Sequence, residues 1–285
     1  MHIDHKSWDL VAEDKDLQHN KPKEAFFQKK RDLLNLVKRW LGSDLKKAVM
    51  IKTDLMEESV RVDDVLFDLS KEARQAFGMD ISFKLTALAK KRPENHGLNI
   101  GYIVSDARKM SFRDNVFDFV LSNSTMDHFP EIEQALKESF RILKPGGVMV
   151  ITIHNKLEFT FYLYHFLKKA FKTNPHFHFE KTYTPWEIRD KLHNCGFIIE
   201  DYSTSSHVPM GLWVILYIVI TTAERMGKLP EKAAIGFINF IIKIIESLER
   251  KNTILNFLIS LLIAFKVRKP LSTESRFTKG KENHD

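Results

Sequence analysis

The chain has 285 residues, of which 44% are hydrophobic and 28% are charged, with a formal net charge of +7. These values exclude extensive disorder and fit one catalytic domain with room for an appendage. The single cysteine, Cys195, excludes an internal disulfide. The first ten residues lack the basic and apolar regions of a signal peptide, so we expect a cytoplasmic protein.

The basic residues are mixed with acidic ones along the predicted helices, and their clusters at 29–31 and 90–92 are modest. No known nucleic-acid-binding motif accompanies them, so we expect no nucleic-acid partner. Solvated helix faces explain most such clusters. The basic excess favours an anionic membrane surface as a peripheral partner instead.

The N-terminal part predicts a flexible polar arm over residues 1–22 and a helix over 24–41, which Gly42 ends. A short apolar strand follows and leads into the segment Lys-Thr-Asp-Leu-Met-Glu-Glu at 52–58. This segment offers ammonium, hydroxyl and carboxylate groups, and no glycine occurs between Gly42 and Gly78.

Three later strands end in polar residues. A helix predicted from Pro130 ends at the Lys-Pro-Gly-Gly segment 144–147 and separates the last two of these strands. The carboxyl ends of parallel strands meet at one edge of an open α/β sheet, so these polar groups predict a ligand site there. They are Asp106 after the strand 99–105, Ser122, Asn123 and Ser124 after the strand 117–121, and His154 after the strand 148–153.

The order of these motifs resembles that of the class I S-adenosylmethionine-dependent methyltransferases. The likeness covers residues 45–205 and rests on SDARKMSFRDNVFDFVLSN at 105–123 and LKPGGVMVIT at 143–152, with GMDIS at 78–82 resembling the end of the second strand. It implies a doubly wound α/β domain over residues 23–207, with a mainly parallel, seven-stranded, Rossmann-like sheet. It also implies S-adenosylmethionine as the cofactor.

In this family an acid after the second strand holds the ribose hydroxyls, and an acid after the third holds the adenine amino group. The resemblance therefore implies these roles for Asp80 and Asp106, since a carboxylate accepts such hydrogen bonds well. The alternative for each is a helix cap or a turn residue. The other cofactor-binding residues predicted at this edge are Lys52, Thr53, Asp54, Ile81, Ala107, Ser122 and Asn123.

The first loop departs from the family pattern. Family members have a glycine-rich turn there, which lets backbone N–H groups approach the cofactor closely. A branch of the family is similar to this chain instead, which implies that Lys52, Thr53 and Asp54 form the cofactor loop. The alternative is that the loop has lost cofactor binding.

Methyl transfer requires alignment and exclusion of water, and it requires a base when the acceptor must lose a proton. Asp127 and His128, in the loop after the fourth strand, are the predicted catalytic residues, and His154 is a further candidate. A structural role for His128 is the alternative. His165, His176 and His178 lack accompanying cysteines or paired acids, so we predict no metal site.

The C-terminal third predicts a substrate cover and an apolar appendage. Residues 157–180 form an aromatic insert, and a capping box at Thr184 starts a helix before the strand 198–202. The appendage contains three apolar runs, each shorter than the about 20 residues of a spanning helix. We predict a hydrophobic helical subdomain or membrane-surface anchor over 208–269 and a polar tail over 270–285. The runs are 208–223, 235–245 and 254–265, and the basic residues Lys266, Arg268 and Lys269 follow the third.

These features predict cofactor-dependent methylation of a small or lipophilic acceptor, with oxygen as the methylated atom. The rival is a non-catalytic, membrane-associated binding or scaffolding protein with a methyltransferase-like fold. A nucleic-acid methyltransferase is a weaker third option. Besides an interfacial anchor, the apolar runs permit a buried subdomain or a homodimer formed through the C-terminal helices.

Overall fold

The computed structural model describes residues 5–13, 23–60, 64–92, 94, 97–158, 181–205, 236, 240, 258 and 260–271. The helices are α1 His5–Glu13, α2 Lys23–Leu41, α3 Met56–Val60, α4 Val65–Ser70, α5 Phe83–Lys91, α6 Ile132–Ile142 and α7 Pro185–Asn194, with 3-10 turns at Gly42–Lys47 and Met126–His128. The strands are β1 Val49–Lys52, β2 Gln75–Asp80, β3 Ile100–Val104, β4 Phe117–Asn123, β5 Leu143–His154, β6 Ile198–Ser205 and β7 Leu262–Arg268.

The strands form one seven-stranded sheet in the order β3-β2-β1-β4-β5-β7-β6. Strands β1 to β5 run parallel to one another, whereas β7 pairs antiparallel with both β5 and β6. The predicted doubly wound, mainly parallel seven-stranded fold is therefore confirmed. The strand order reverses between β1 and β4, and open sheets of this kind bind ligands outside the carboxyl ends of the strands at such a switch point.

Helices cover both faces of the sheet, so its central strands are apolar on both sides. Side chains of β1 alternate between the two layers of the core. Val49 and Ile51 pack in the layer that contains residues of α6 and α7, whereas Met50 packs in the layer that contains residues of α2 and α4. This double burial holds the carboxyl end of β1 in the middle of the molecule.

Two predicted helix starts agree closely with the structure. The helix predicted from Pro130 begins at Ile132, with Glu131 as its N-cap. Thr184 caps α7, since its side chain accepts a hydrogen bond from the backbone N–H of Glu187, and the Glu187 side chain completes the capping box. Helix α2 covers the predicted range 24–41.

The prediction of a flexible arm over residues 1–22 is wrong for residues 5–13, which form α1. Ala12 is buried in a cluster with Val60 and Leu85, and Trp8 packs against this cluster. The arm looks polar because few of its residues are apolar; of these, Trp8 and Ala12 lie one helical turn apart and dock the helix, whereas Leu10 is exposed. Helix α1 thus lies against α3 and α5.

The predicted boundary between the domain and an appendage at residue 208 is also wrong, because residues 262–268 form strand β7. Ile263, Phe265 and Val267 pack in one layer of the core, and Ala264 packs in the other. A strand buried on both faces is a continuous apolar run, which periodicity alone does not distinguish from a buried helix. The domain therefore also includes strand β7, which lies more than 50 residues after residue 207 in the sequence.

The basic residues after the third apolar run do not have the predicted role at a lipid surface. Lys266 and Arg268 both pair with Glu200 on the neighbouring strand, at 2.9 and 2.6 Å. Lys269 Nζ donates hydrogen bonds of 2.8 Å to the carbonyl oxygens of Phe140 and Leu143. These cations therefore fasten β7 to the domain.

The remaining C-terminal predictions lie outside the described residues. This holds for the run 208–223, for most of 235–245 and for 159–180 of the aromatic insert. Among the helices that the structure does describe, none combines the length and the apolar character needed to cross a membrane.

Candidate cofactor and acceptor site

The carboxyl end of β1 carries a buried ion cluster centred on Lys52. Lys52 Nζ lies 2.7 Å from Glu57 Oε2, 2.9 Å from Glu58 Oε2 and 3.0 Å from Asp54 Oδ1. The Lys52 side chain is 0% exposed. One ammonium group therefore faces three carboxylates at the position where the family pattern has glycines.

Burial sets the protonation of this cluster. Burial alone would lower the pKa of Lys52, but the charges of Asp54, Glu57 and Glu58 raise it well above its usual value. Burial raises the pKa of Glu58 to about 7, even though Lys52 and the backbone N–H of Leu66 favour its charged form. Burial, together with the charge of Glu57, likewise raises the pKa of Asp54. The lysine therefore stays charged, whereas burial favours the neutral forms of Asp54 and Glu58.

The cluster is connected to the ends of the next strands. Asn123 Nδ2 donates to Glu57 Oε1 at 3.0 Å, and Thr125 Oγ1 donates to Asp54 Oδ2 at 2.6 Å. Asn123 Oδ1 in turn accepts a 2.7 Å hydrogen bond from Thr152 Oγ1 on β5. Asn123 therefore holds the loop in place, and its amide is engaged within the protein.

Asp80, predicted to bind the ribose, closes the end of β2 onto the loop after β1. Its Oδ2 accepts from the backbone N–H of Leu55 at 2.9 Å, and its Oδ1 accepts from that of Ser82 at 2.8 Å. Burial raises its pKa to about 6, although both N–H groups stabilise the charged form. Each carboxylate oxygen has two lone pairs, so the group retains capacity to accept hydroxyl hydrogens.

Asp106, predicted to bind the adenine, pairs with Arg108. Its Oδ1 accepts from the Arg108 backbone N–H at 2.8 Å, and its Oδ2 accepts from Nη2 at 2.7 Å. Burial would raise the pKa of Asp106, but Arg108 lowers it below its usual value. The Arg108 guanidinium lies 5.3 Å from the centre of the Phe129 ring. An adenine amino group at Asp106 would share the carboxylate with this guanidinium.

The remaining predicted cofactor residues fall into two groups. Ile81 is half-buried and Ala107 is buried, so they offer apolar contact beside the two acids. Thr53 and Ser122 are buried at the ends of β1 and β4. Their hydroxyl oxygens have no hydrogen-bond partner within the described part of the chain.

Asp127 pairs with His154, at the end of β5, and not with its sequence neighbour His128. Asp127 Oδ2 accepts from His154 Nδ1 and from the His154 backbone N–H, the latter at 3.2 Å. Burial lowers the pKa of His154, although Asp127 opposes this. Burial would raise the pKa of Asp127, but the facing His154 lowers it.

His128 packs against α1. Its ring meets Trp8 edge to face, with the centroids 5.0 Å apart and the planes at 84°. Its Nδ1 is buried without a hydrogen-bond partner among the described residues. The helix that was predicted to be a loose arm therefore covers the predicted catalytic histidine.

The carboxylates of Asp54, Glu57 and Glu58 are near enough together to hold a metal ion, with their oxygens within 4.8 Å of one another. The Lys52 ammonium already contacts all three of them. The Lys52 ammonium therefore offsets part of the negative charge of these carboxylates.

Several residues of this site were not predicted. Lys29 of α2 lies 3.8 Å from Glu57, and Thr125 and Thr152 join the loop to β4 and β5. No local pattern marks these residues, since each acts through a partner distant in sequence. The sequence shows Glu57 and Glu58 only as charged members of the loop segment. In the structure they lie on α3, five and six residues after Lys52, and this short helix brings their carboxylates back to the Lys52 ammonium.

Residues 63–151 match the model of a methyltransferase domain family. The matched range contains β2 to β4 and nearly all of β5, with Asp80, Asp106 and the loop of Asp127. Residues 63–151 are therefore part of a methyltransferase domain. The predicted family is thereby confirmed.

Curated relatives of this methyltransferase domain match it over part of their length. The Rickettsia prowazekii ubiquinone/menaquinone biosynthesis C-methyltransferase UbiE is 29% identical over 144 residues, which are 45% of this chain and 58% of the relative. The Caenorhabditis elegans phosphoethanolamine N-methyltransferase 2 is 35% identical over 80 residues, 28% of this chain and 18% of the relative. The matches therefore span less than two thirds of these relatives.

Solved structures share the fold of the domain. The N-methyltransferase NodS from Bradyrhizobium japonicum, in complex with S-adenosyl-L-homocysteine, superposes with a TM-score of 0.55 and 10% identity, covering 93% of this chain and 98% of its own. The [4+2]-cyclase SpnF also gives a TM-score of 0.55, at 16% identity, covering 85% of this chain and 81% of its own. A cyclase on this fold shows that the activity must be argued from the site.

The residues at the sheet edge fit S-adenosylmethionine, the cofactor of this family. Asp80 and Asp106 stand at the ends of neighbouring strands, and the buried hydroxyls of Thr53 and Ser122 need partners. Three carboxylates facing one buried ammonium also give the loop after β1 a negative potential, which favours a cationic ligand. The cofactor carries both an ammonium and a sulfonium group.

Proposed function

We propose that the chain is an S-adenosylmethionine-dependent methyltransferase that methylates an oxygen atom of a small or lipophilic acceptor. The observation that carries the proposal is the position of Asp80 and Asp106 at adjoining strand ends beside the acidic cluster of Lys52. This arrangement provides acceptors for ribose and adenine and a negative potential for a cation without a glycine-rich turn. The match to the methyltransferase domain family supports the methyltransferase activity in this proposal.

In this proposal each residue has a limited task. S-adenosylmethionine supplies a methyl group bonded to a positively charged sulfur. Asp80 accepts from the ribose hydroxyls, Asp106 accepts from the adenine amino group, and the hydroxyls of Thr53 and Ser122 complete the polar contacts. The buried strand ends exclude water, which strengthens these electrostatic contacts.

The acceptor class is proposed from two lines of support. Relatives are named for ubiquinone and menaquinone biosynthesis. The sequence 208–223 is uncharged and apolar, which suits contact with a lipophilic molecule. We propose an acceptor with an isoprenoid or other long apolar chain and an ionisable hydroxyl group.

A transfer assay with an isotope-labelled methyl group tests the proposal. The acceptor probes are a phenol that carries a short isoprenoid chain and the same phenol without the chain. We expect label in the first product at a higher kcat/KM, as a methoxy group in its NMR spectrum. A ring methyl group would assign the transfer to carbon, as the names of the UbiE relatives state for those proteins. Absence of transfer to either probe by cofactor-bound protein would contradict the acceptor proposal.

We also propose that the chain attaches to membrane surfaces through the apolar run 208–223. Since 262–268 is a strand of the sheet, the proposal no longer includes the basic residues that follow it. Flotation with anionic liposomes is the test: the full chain should rise with the vesicles, and Trp213→Glu with Leu216→Glu should abolish this. A full chain that stays at the bottom of the gradient contradicts attachment.

A non-catalytic protein with this fold is the second candidate. This candidate is favoured because the acids of the site already have partners within the protein. Lys52 pairs with the loop carboxylates, and Arg108 pairs with Asp106. A domain of this kind would bind neither S-adenosylmethionine nor S-adenosylhomocysteine. Titration with both compounds therefore separates the two candidates before any acceptor is known.

A further inference from the structure

Asp127 and His154 form a buried pair outside the cofactor contacts described above. Asp127 lies in the turn after β4 and is 0% exposed, and His154 is the last residue of β5 and is 5% exposed. One carboxylate oxygen of Asp127 meets both the ring Nδ1 and the backbone N–H of His154. These two contacts fix both the position and the rotation of the imidazole.

The contact to Asp127 also selects the tautomer of His154. A carboxylate accepts a hydrogen, so Nδ1 carries the ring proton and Nε2 carries the lone pair. Burial, with Lys29 of α2 and His128 nearby, lowers the pKa of His154, while Asp127 acts in the opposite direction. The ring is therefore neutral near pH 7 and able to take up a proton.

The pair lies next to the proposed cofactor loop. Thr125 of the same turn donates to Asp54 at 2.6 Å, and the neighbouring strand position Thr152 donates to Asn123 at 2.7 Å. Lys29 contacts Glu57 of the loop and acts electrostatically on His154. A histidine held in a chosen tautomer beside the loop meets one requirement of a general base, a fixed orientation by a third group.

We propose that His154 is the general base of the reaction and that Asp127 is its positioning residue. This inference rests on the proposed methyl transfer to oxygen. The acceptor hydroxyl gives its proton to His154 Nε2, and its oxygen forms the bond to the methyl carbon. The methyl–sulfur bond breaks and its electron pair stays on sulfur, so charge and atoms balance. Asp127 stabilises the imidazolium that results.

His128 serves as the contrasting histidine. Asp127, its neighbour in sequence, is directed to His154, and the His128 ring packs against Trp8. No described carboxylate sets its tautomer, because its Nδ1 lacks a hydrogen-bond partner among the described residues. The base is therefore assigned to the histidine that a buried acid orients.

The first test is nitrogen NMR of the full chain without cofactor or acceptor, with the His154 signal assigned through His154→Gln. We expect the Nδ1-protonated tautomer at pH 7.5 and a pKa below the usual value. In Asp127→Asn, loss of the negative charge should lower this pKa further. An Nε2-protonated ring, or a pKa unmoved by Asp127→Asn, overturns the pairing and the proposal with it.

The second test measures turnover of the isoprenoid phenol and cofactor affinity in the same variants. His154→Gln should lose about 100-fold or more in kcat, the usual range for general base catalysis, with cofactor affinity unchanged. His193→Gln, an exposed histidine on α7, is the matched control and should keep wild-type turnover. In a plot of kcat against pH, Asp127→Asn should move the rise on the acidic side to lower pH, and the maximal kcat should fall.

The outcomes separate this inference from the proposed function. Equal kcat values for His154→Gln and His193→Gln contradict the assignment of the base. Wild-type protein that binds no cofactor contradicts the proposed function instead. A stable His154→Gln variant that loses cofactor affinity and turnover together assigns His154 to binding and also overturns the proposal.

Discussion

Lys52 Nζ lies 2.7 Å from Glu57 Oε2 in the interior of the protein, where the first strand of the sheet meets its loop. It belongs to an ion cluster that occupies the position at which family members have a glycine-rich turn. A glycine-rich turn would present backbone N–H groups to a ligand, whereas this loop presents carboxylates with one internal counter-ion. The loop therefore offers carboxylates to a ligand, and the loss of any one member of the cluster is expected to destabilise the domain.

Replacement of the central cation tests this expectation. Lys52→Met removes the charge that faces Asp54, Glu57 and Glu58, so these buried carboxylates lose their shared counter-ion. Loss of one member of a buried ion pair typically costs about 3–5 kcal/mol in the free energy of unfolding. Denaturant unfolding measures this cost.

The matched control is Lys71→Met. Lys71 pairs with Asp68 at the surface, where its side chain is 57% exposed. We expect a change within about 0.5 kcal/mol, as for most surface substitutions. Similar stabilities for the two variants would mean that the cluster does not hold the loop.

The acids of the site predict a pH-dependent stability. Burial raises the pKa of Glu58 from 4.5 to about 7. An acid whose pKa is higher in the folded chain binds more protons there than in the unfolded chain, so its contribution to stability is present below pH 4.5 and is lost as the pH rises towards 7.

Comparison with Glu58→Gln measures this contribution together with the effect of the Glu58 charge on Asp54. His154, whose pKa is lowered, acts in the opposite direction over part of the same range, but it contributes equally to both proteins and cancels in the difference. The free energy of unfolding of the wild type, relative to the variant, should fall as the pH rises from about 4.5 to 7. Urea unfolding at several pH values gives the slope, and a flat difference would show that Glu58 titrates normally.

Asp106→Ala should weaken cofactor binding, because the adenine amino group loses its acceptor in a partly desolvated position. Such a loss costs about 1–3 kcal/mol, or roughly five- to 150-fold in affinity. The control is Asp114→Ala, which removes an exposed acid paired with Arg141. Equal affinities for the two folded variants would assign Asp106 to Arg108 alone.

Thr184→Ala should destabilise the domain by about 0.5–2 kcal/mol, because α7 loses the side chain that caps its first turn. Thr184→Ser keeps the hydroxyl and should retain most of the stability. Thermal unfolding of both variants measures the difference. Loss of equal size in both would place the effect of Thr184 in its methyl group.

The sequence predicts most of the sheet because its signals are local. Asp106 follows an apolar strand directly, and Thr184, Pro185 and Glu187 mark a helix start within four residues. Strand β7 lies far from its partners in sequence, and its double burial removes the alternation that would reveal it. Residues 262–268 form a strand because they pair with β5 and β6, and a local sequence pattern carries no information about those distant partners.

Contacts between residues that are distant in sequence also limit prediction of the site. The loop residues Lys52, Thr53 and Asp54 were located by their position after a strand. The choice of His154 as the partner of Asp127 depends on two adjacent strand ends, and sequence proximity favoured His128 instead. Helix α1 was missed because the few apolar residues that dock it lie in a polar segment.

Calorimetric titration of the full chain with S-adenosylmethionine and S-adenosylhomocysteine tests the central claim, that a loop built on Lys52 and three carboxylates still belongs to a cofactor site. We expect saturable binding of both compounds to one site, weakened in Asp106→Ala and retained in Asp114→Ala. A folded wild-type protein that gives no binding heat and no thermal shift with either compound would contradict the account.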